Sequence, residues 1–307
     1  MKLGFGFYRH MLNDEHYAFA RQCGATHAVV HLVDYKYKGG KESGELRDDQ
    51  PLGDGEGWGI AGHTLADWNT TFLRSIKSRM AEYGLELHAI ENFDPVDWYD
   101  VLADGPKRDD QMTVVKDRIR MLGEVGIPVM GYNFSLTGVA SRISGQFARG
   151  GALSVGMDGV DDRPLPPGMV WNMWVSPPEE SSVPSGTEED LWNRWQRFMD
   201  ELLPVAEESG VILAAHPDDP PVRSVRGQPK LGWNVEAYES ILRRAPSPFN
   251  RLELCLGTVA EMPDHDIYAF IERVVSRNGI GYIHLRNIVG TAPDYREVFI
   301  DEGDLNM

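Results

Sequence analysis

Short apolar runs of strand length alternate with segments of helical period along most of the chain. The runs at 2–7 (KLGFGF), 27–33 (HAVVHLV), 85–91 (LELHAIE), 128–134 (PVMGYNF), 211–217, 251–257 and 280–287 predict seven β-strands. Helices are predicted near 13–23, 66–83, 107–125, 188–209, 234–244 and 265–278. The 188–209 segment has the clearest signature. Thr187 can cap it ahead of Glu189 and Asp190, and Trp192, Trp195, Phe198, Met199, Leu202 and Leu203 recur at helical spacing. Gly24, Gly84, Gly126, Gly210 and Gly279 stand where a helix hands over to a strand, the expected left-handed stop.

Strict β–α alternation with short turns implies an α/β fold with a parallel sheet. The expectation is a (β/α)8 TIM barrel. Seven strands are visible, and the tail from Thr291 to Met307 shows no clear strand and only a fragment of helix. The barrel is therefore expected to be incomplete, a single domain over 1–307 without its last β/α unit; an irregular seven-stranded barrel is the alternative. Two connections are long, about 34–65 and 135–186, the second rich in proline (Pro164, Pro166, Pro167, Pro177, Pro178). Both follow strands, which puts them on the C-terminal face where barrel active sites lie. Trp58, Trp171 and Trp174 favour a lid.

The net charge of −17 argues against nucleic acid, whose phosphates need a basic surface. It leaves room for a small anionic substrate, because a few local cations set the field in a pocket. No run approaches the length of a membrane span, and the first residues lack a signal-peptide core. Two distant cysteines, Cys23 and Cys255, make no disulfide framework, so a reducing cytoplasm is expected.

Three donors end predicted strands: His216 in VILAAHP, Cys255 in RLELCLG and His284 in GYIHLRN. Parallel strands bring such ends to one mouth, where the three could hold one divalent ion; Zn, Fe, Co and Mn all suit the set. Side chains alternate along a strand, so Glu253 shares a face with Cys255, and Tyr282 and Arg286 share one with His284. Arg286 beside a metal suits a substrate carboxylate. His31, Glu91 and Asn133 end other strands and could hold sugar hydroxyls. Asp218 and Asp219 follow His216 and could orient a ligand or cap the turn at Pro220 and Pro221.

The segment PVAEESGVILAAHPDDPP (204–221), followed by Arg226-Gly227-Gln228-Pro229-Lys230, resembles the mannonate dehydratase family. So do Tyr132-Asn133-Phe134 with Arg142 downstream, Cys255-Leu256-Gly257-Thr258, His284-Leu285-Arg286-Asn287 and the closing Glu302-Gly303-Asp304-Leu305-Asn306-Met307. The resemblance implies a xylose-isomerase-like TIM barrel that removes water from D-mannonate to give 2-keto-3-deoxy-D-gluconate in hexuronate catabolism. It implies a divalent metal, usually Mn²⁺, on His216, Cys255 and His284; Fe²⁺, Co²⁺ and Zn²⁺ are alternatives. It points to Asn133, Arg142, Asp218, Asp219, Lys230 and Asn287 as substrate contacts, and to Arg286 as the carboxylate's partner. Tyr132, His31 and Glu91 are the acid–base candidates among these residues.

Two departures stand out. Family members carry a later Pro-Asp-His-Gly motif, whose Asp is the fourth ligand and whose His is a catalytic candidate, and this sequence ends before it. The family's Phe-His-Glu is replaced by Arg296-Glu297-Val298-Phe299. A shortened chain is therefore expected, its unpaired sheet edges leaving it marginally stable or closed by a partner chain, and a homo-oligomer, simplest as a dimer, is expected. Rival readings are a metal-dependent sugar isomerase or epimerase on the same barrel, and a shortened non-catalytic paralogue.

Overall fold

The computed structural model describes residues 2–37, 58–175 and 186–307. The expected centre of the first long connection, and Pro177 and Pro178 in the second, lie outside the described residues.

Seven strands run parallel: β1 (Gly4–Phe7), β2 (His27–Val30), β3 (Glu86–Glu91), β4 (Val129–Tyr132), then β7 (Ile212–Ala215), β8 (Asn250–Cys255) and β9 (Ile280–His284). They pair in chain order as one curled sheet, and no ladder joins β9 to β1 among the described residues. The connections carry α1 (Asp14–Gln22), α2 (Thr70–Glu82), α3 (Pro95–Ala103), α4 (Arg108–Val125), α5 (Glu188–Ser209), α6 (Val235–Arg244), α7 (Leu256–Glu261) and α8 (Ile267–Ser276). Inside the sheet Ala89, Val129 and Ala214 form a small apolar floor with Val29, Ile212 and Tyr282 around it. The main core lies between sheet and helices, where Trp195, Phe198, Met199 and Leu202 of α5 are fully buried.

α5 starts as its sequence predicts, with Thr187 and Asp190 closing a reciprocal capping box. It ends at Gly210, in the left-handed region at φ 67°. α8 differs: the left-handed residue after it is Asn278, at φ 53°, rather than Gly279.

α3 has no counterpart in the predicted elements. Asp94 caps it by accepting from Val96 N, and Pro95 opens it. Six of its nine residues are buried, Asp97 and Asp100 included, so it lacks the polar face that a helical period needs to be visible.

The tail also departs from expectation. Asn287–Thr291 (β10) and Asp294–Val298 (β11) form an antiparallel hairpin. β11 pairs with β6 (Ala152–Asp158), which pairs with β5 (Arg142–Ala148). Thus the stretch expected to lack strands, and part of the second long connection, together build a four-stranded sheet beside the barrel mouth. Its strands alternate weakly because they lie at the surface, and the two hairpins that make it, β5–β6 and β10–β11, are remote from each other in sequence.

Candidate metal centre and active site

A cavity of about 380 Å³ opens at the C-terminal ends of the parallel strands. His216 follows β7, and Cys255 and His284 end β8 and β9. One donor atom from each lies within 4.8 Å of the other two. The strand register explains this: Cys255 stands opposite His284 in the β8–β9 ladder. Tyr238 secures the base by donating to the carbonyls of Ala215 (2.9 Å) and Glu253 (2.7 Å), which ties β7 to β8. His216 Nδ1 lies 2.6 Å from Pro217 O, a contact that needs the proton on Nδ1 and leaves Nε2 for a ligand.

Two carboxylates lie next to these donors. His284 Nε2 is 3.2 Å from Glu91 Oε2 and 3.3 Å from Glu253 Oε1. His216 Nε2 is 4.0 Å from Glu253 Oε1. Glu91, Glu253 and His284 thus form a second donor group that shares His284 with the first. The charges are strongly coupled. Burial opposes the His216 cation, yet Glu253 and Cys255 outweigh it and raise the imidazole to about 9. Burial and then Glu91 push Glu253 up to about 8. Burial would raise the Cys255 thiol, but Arg286 and the two histidines hold it well below its ordinary value, which favours the thiolate.

An arginine pair flanks the donors. Arg286 donates to Glu261 (2.6 Å), to Thr258 Oγ1 (2.8 Å) and to Glu297, and pairs with Asp219 at 3.1 Å. Arg142 donates to the same Glu297 oxygen and lies 3.5 Å from Asp219. Burial would favour a neutral Asp219, but Arg142 and Arg286 hold it well below the usual carboxylate range.

His31 lines the same cavity as the arginines. Its ring stacks on Tyr8 at 4.8 Å, Nδ1 is 3.1 Å from Tyr35 Oη, and Nε2 is 3.5 Å from Glu91. Burial lowers its pKa, and Glu91 offsets this only in part. Asn133 lines the same space, accepting from Trp171 Nε1 (3.1 Å) and donating to Pro217 O (3.3 Å).

Several expected site residues sit elsewhere. Tyr132 faces the helices: its hydroxyl accepts from Trp195 Nε1 (3.2 Å) and contacts Met199 Sδ, so it is not an acid–base group of this cavity. Alternation along β4 is the cause, because Gly131 takes the inward place, where a methyl group would collide with Tyr282 Oη and Glu253 Oε2. Asp218 accepts from Leu231 N and Gly232 N and pairs with Lys230 at 3.4 Å. Lys230 is fully buried and donates to Gly138 O. Asn287 donates to the carbonyls of Ile300 and Leu305. Neither Asp218, Lys230 nor Asn287 lines the cavity; they hold turns and the tail in place.

Tyr8, Tyr35 and Glu297 do line it and were not predicted as site residues. Tyr8 follows β1, and applying the strand-end logic to the first strand would have found it. Glu297 had a signal only in the break from the family pattern.

The D-mannonate dehydratase (UxuA) family model matches residues 185–307. The mannonate dehydratase of Streptococcus pneumoniae (strain 70585) is 32% identical over 256 residues, covering 78% of this chain and 69% of that protein. This chain belongs to the mannonate dehydratase family. Another family member, mannonate dehydratase 2 of Halalkalibacterium halodurans, is 29% identical over 237 residues, 74% of this chain and 68% of its own length. The crystal structure of the mannonate dehydratase from Streptococcus suis serotype 2 superposes with a TM-score of 0.72 at 26% identity, covering all of this chain and 78% of that one. A xylose isomerase domain protein from Planctomyces limnophilus matches at 10% identity and a TM-score of 0.55, which shows the shared TIM-barrel fold. In this member of the mannonate dehydratase family, Cys255 and Arg286 lie inside the stretch that the family model covers, whereas His31 and Glu91 precede it.

Proposed function

We propose that the chain is a divalent-metal hydro-lyase that takes water from D-mannonate to give 2-keto-3-deoxy-D-gluconate, a step of cytoplasmic hexuronate catabolism. The observation that carries this reading is the convergence of His216, Cys255 and His284 on one point beside an arginine pair. The donors fit a metal: one thiolate, a His216 Nε2 left open by the bond at Nδ1, and adjacent carboxylates. Mn²⁺ is the proposed ion, and Fe²⁺, Co²⁺ and Zn²⁺ suit the same set. When bound, a dication polarises substrate oxygen and eases departure of hydroxide.

The protein's own groups do the rest. Arg286 and Arg142 face the substrate carboxylate and stabilise the charge that builds on it as the C2 proton leaves. His31 takes that proton, since its lowered pKa keeps the imidazole neutral near pH 7 and the Glu91 carboxylate steadies the cation that forms. The C3–O bond breaks, the proton that His31 took from C2 goes to the departing hydroxide to make water and restores the neutral imidazole, and the enol tautomerises to the 2-keto acid. Trp58 and Trp171, packed on Tyr35, roof the site, and we assign the two long connections a lid role over a single domain. The chain is proposed to act as a homodimer.

The test is direct. Incubation of the chain with Mn²⁺ and D-mannonate should yield a 2-keto-3-deoxy acid, and chelation should stop it. Turnover of aldoses or ketoses by isomerisation, with none of mannonate, would reject the dehydratase.

A further inference from the structure

His31 has two ring nitrogens, and one of them must offer a lone pair to take the C2 proton. Nδ1 lies 3.1 Å from Tyr35 Oη, whereas Nε2, 3.5 Å from Glu91 Oε1, makes no hydrogen bond of regular geometry among the described residues. We infer that Tyr35 is the acid of the reaction: its hydroxyl protonates the departing C3 oxygen and is refilled by the Nδ1 proton of His31. This rests on the dehydration proposed above and adds a catalytic group to it.

The partners of the hydroxyl are the first argument. With Nε2 open to accept, the neutral ring carries its proton on Nδ1 and donates to Tyr35 Oη. Asn92 Nδ2 donates to the same oxygen at 3.1 Å. The oxygen thus accepts twice, and its own proton is left without an acceptor among the described residues. Tyr35 lines the cavity, where a substrate hydroxyl would supply one.

Fixed geometry is the second. Asn92 follows Glu91 in the left-handed region, at φ 67°, and its backbone N donates to Gly131 O at 2.9 Å. The His31 ring stacks on Tyr8 at 4.8 Å, and Trp58 and Trp171 pack on the Tyr35 ring at 5.4 and 6.0 Å. The chain Asn92–Tyr35–His31 is held from both ends. Burial also raises the Tyr35 hydroxyl well above its ordinary value, so it keeps its proton until a base as strong as departing hydroxide is present.

The protons balance. The C2–H bond breaks and its proton goes to Nε2, while its electron pair becomes the new carbon–carbon double bond. The C3–O bond breaks, and the oxygen keeps that pair, takes the Tyr35 proton and leaves as water. Nδ1 returns a proton to Tyr35. His31 ends neutral with its proton on Nε2, and exchange with solvent after product release restores the starting tautomer.

The test has two arms. In the metal-free chain carrying isotope-labelled histidine nitrogens, the NMR signal of His31, assigned by its loss in His31→Asn, should show the proton on Nδ1. A ring protonated on Nε2 alone would make Tyr35 the donor to it and overturn the inference. In the chain with Mn²⁺, Tyr35→Phe should lower kcat for D-mannonate about 100-fold or more, as for removal of a general acid. Fluoride release from 3-deoxy-3-fluoro-D-mannonate, whose leaving group needs no proton, should change less than about threefold. Equal losses with both substrates would make Tyr35 only a support for His31, and an undiminished kcat would leave it no part; either result overturns the inference and leaves the dehydratase standing. Should Tyr35→Phe fail to fold, the nitrogen signal of the unaltered chain decides. Failure of the unaltered chain to dehydrate mannonate would overturn both.

Discussion

Glu297 accepts from Arg286 through Oε1, and Arg142 donates to the same oxygen. An internal carboxylate therefore sits between the two guanidiniums that face the cavity. In the proposed reaction a substrate carboxylate must compete with it for the same donors. Glu297→Gln should lower KM for D-mannonate by roughly tenfold, about 1.4 kcal/mol, with kcat little changed. Steady-state kinetics decide the matter: an unchanged or raised KM would mean that these arginines hold no substrate carboxylate.

His31 is the proton acceptor of the proposal, and its role is separable from binding. His31→Asn keeps a polar group against Tyr35 but cannot take the C2 proton. A loss of about 100-fold or more in kcat with a small change in KM is expected, as for removal of a general base. Retention of C2 deuterium exchange in the variant would assign the base elsewhere.

Lys230 and Asp218 make a prediction about stability instead of turnover. Lys230 is fully buried against Asp218 and Gly138 O. Lys230→Met leaves the carboxylate with backbone donors and no cation. Removing one partner of a buried pair costs about 3–5 kcal/mol, which urea unfolding would register. A variant as stable as the parent, but with a large rise in KM, would return Lys230 to the substrate contacts.

Acid should weaken the fold through Asp219. Its folded-state pKa lies below the unfolded value because Arg142 and Arg286 outweigh burial. Between the two values the unfolded chain binds more protons, so stability rises with pH there. The contribution is complete above about pH 4–5, beyond the ordinary aspartate range, and is lost as pH falls toward the depressed value. Melting temperature should drop below about pH 4, and Asp219→Asn should show less of that drop.

The barrel was legible because its strands and helices carry strong periods and clear caps. The three donors were legible because strand ends converge in such a fold. Tyr132 was misplaced for want of the inward–outward phase of β4, which the short run PVMGYNF does not reveal and which Gly131 sets through contacts with β8 and β9. Asp218, Lys230 and Asn287 lie in motifs dense with polar residues, and only the fold separates those that hold turns from those that face the cavity. The β5–β6–β11–β10 sheet was invisible as a unit since the ladder that joins its two hairpins, β6 to β11, pairs residues about 140 positions apart.

That outer sheet has a practical corollary. Among the described residues it shares no hydrogen-bonded ladder with the parallel strands at whose ends His216, Cys255 and His284 stand, yet it carries Arg142 and Glu297 to the cavity wall. In the proposed reaction the outer sheet thus supplies one of the two carboxylate-facing arginines, Arg142, while Arg286 comes from the barrel side. Libraries confined to the solvent-side hairpins would therefore retune which acids are accepted through Arg142 and Glu297, with Arg286 held on the barrel.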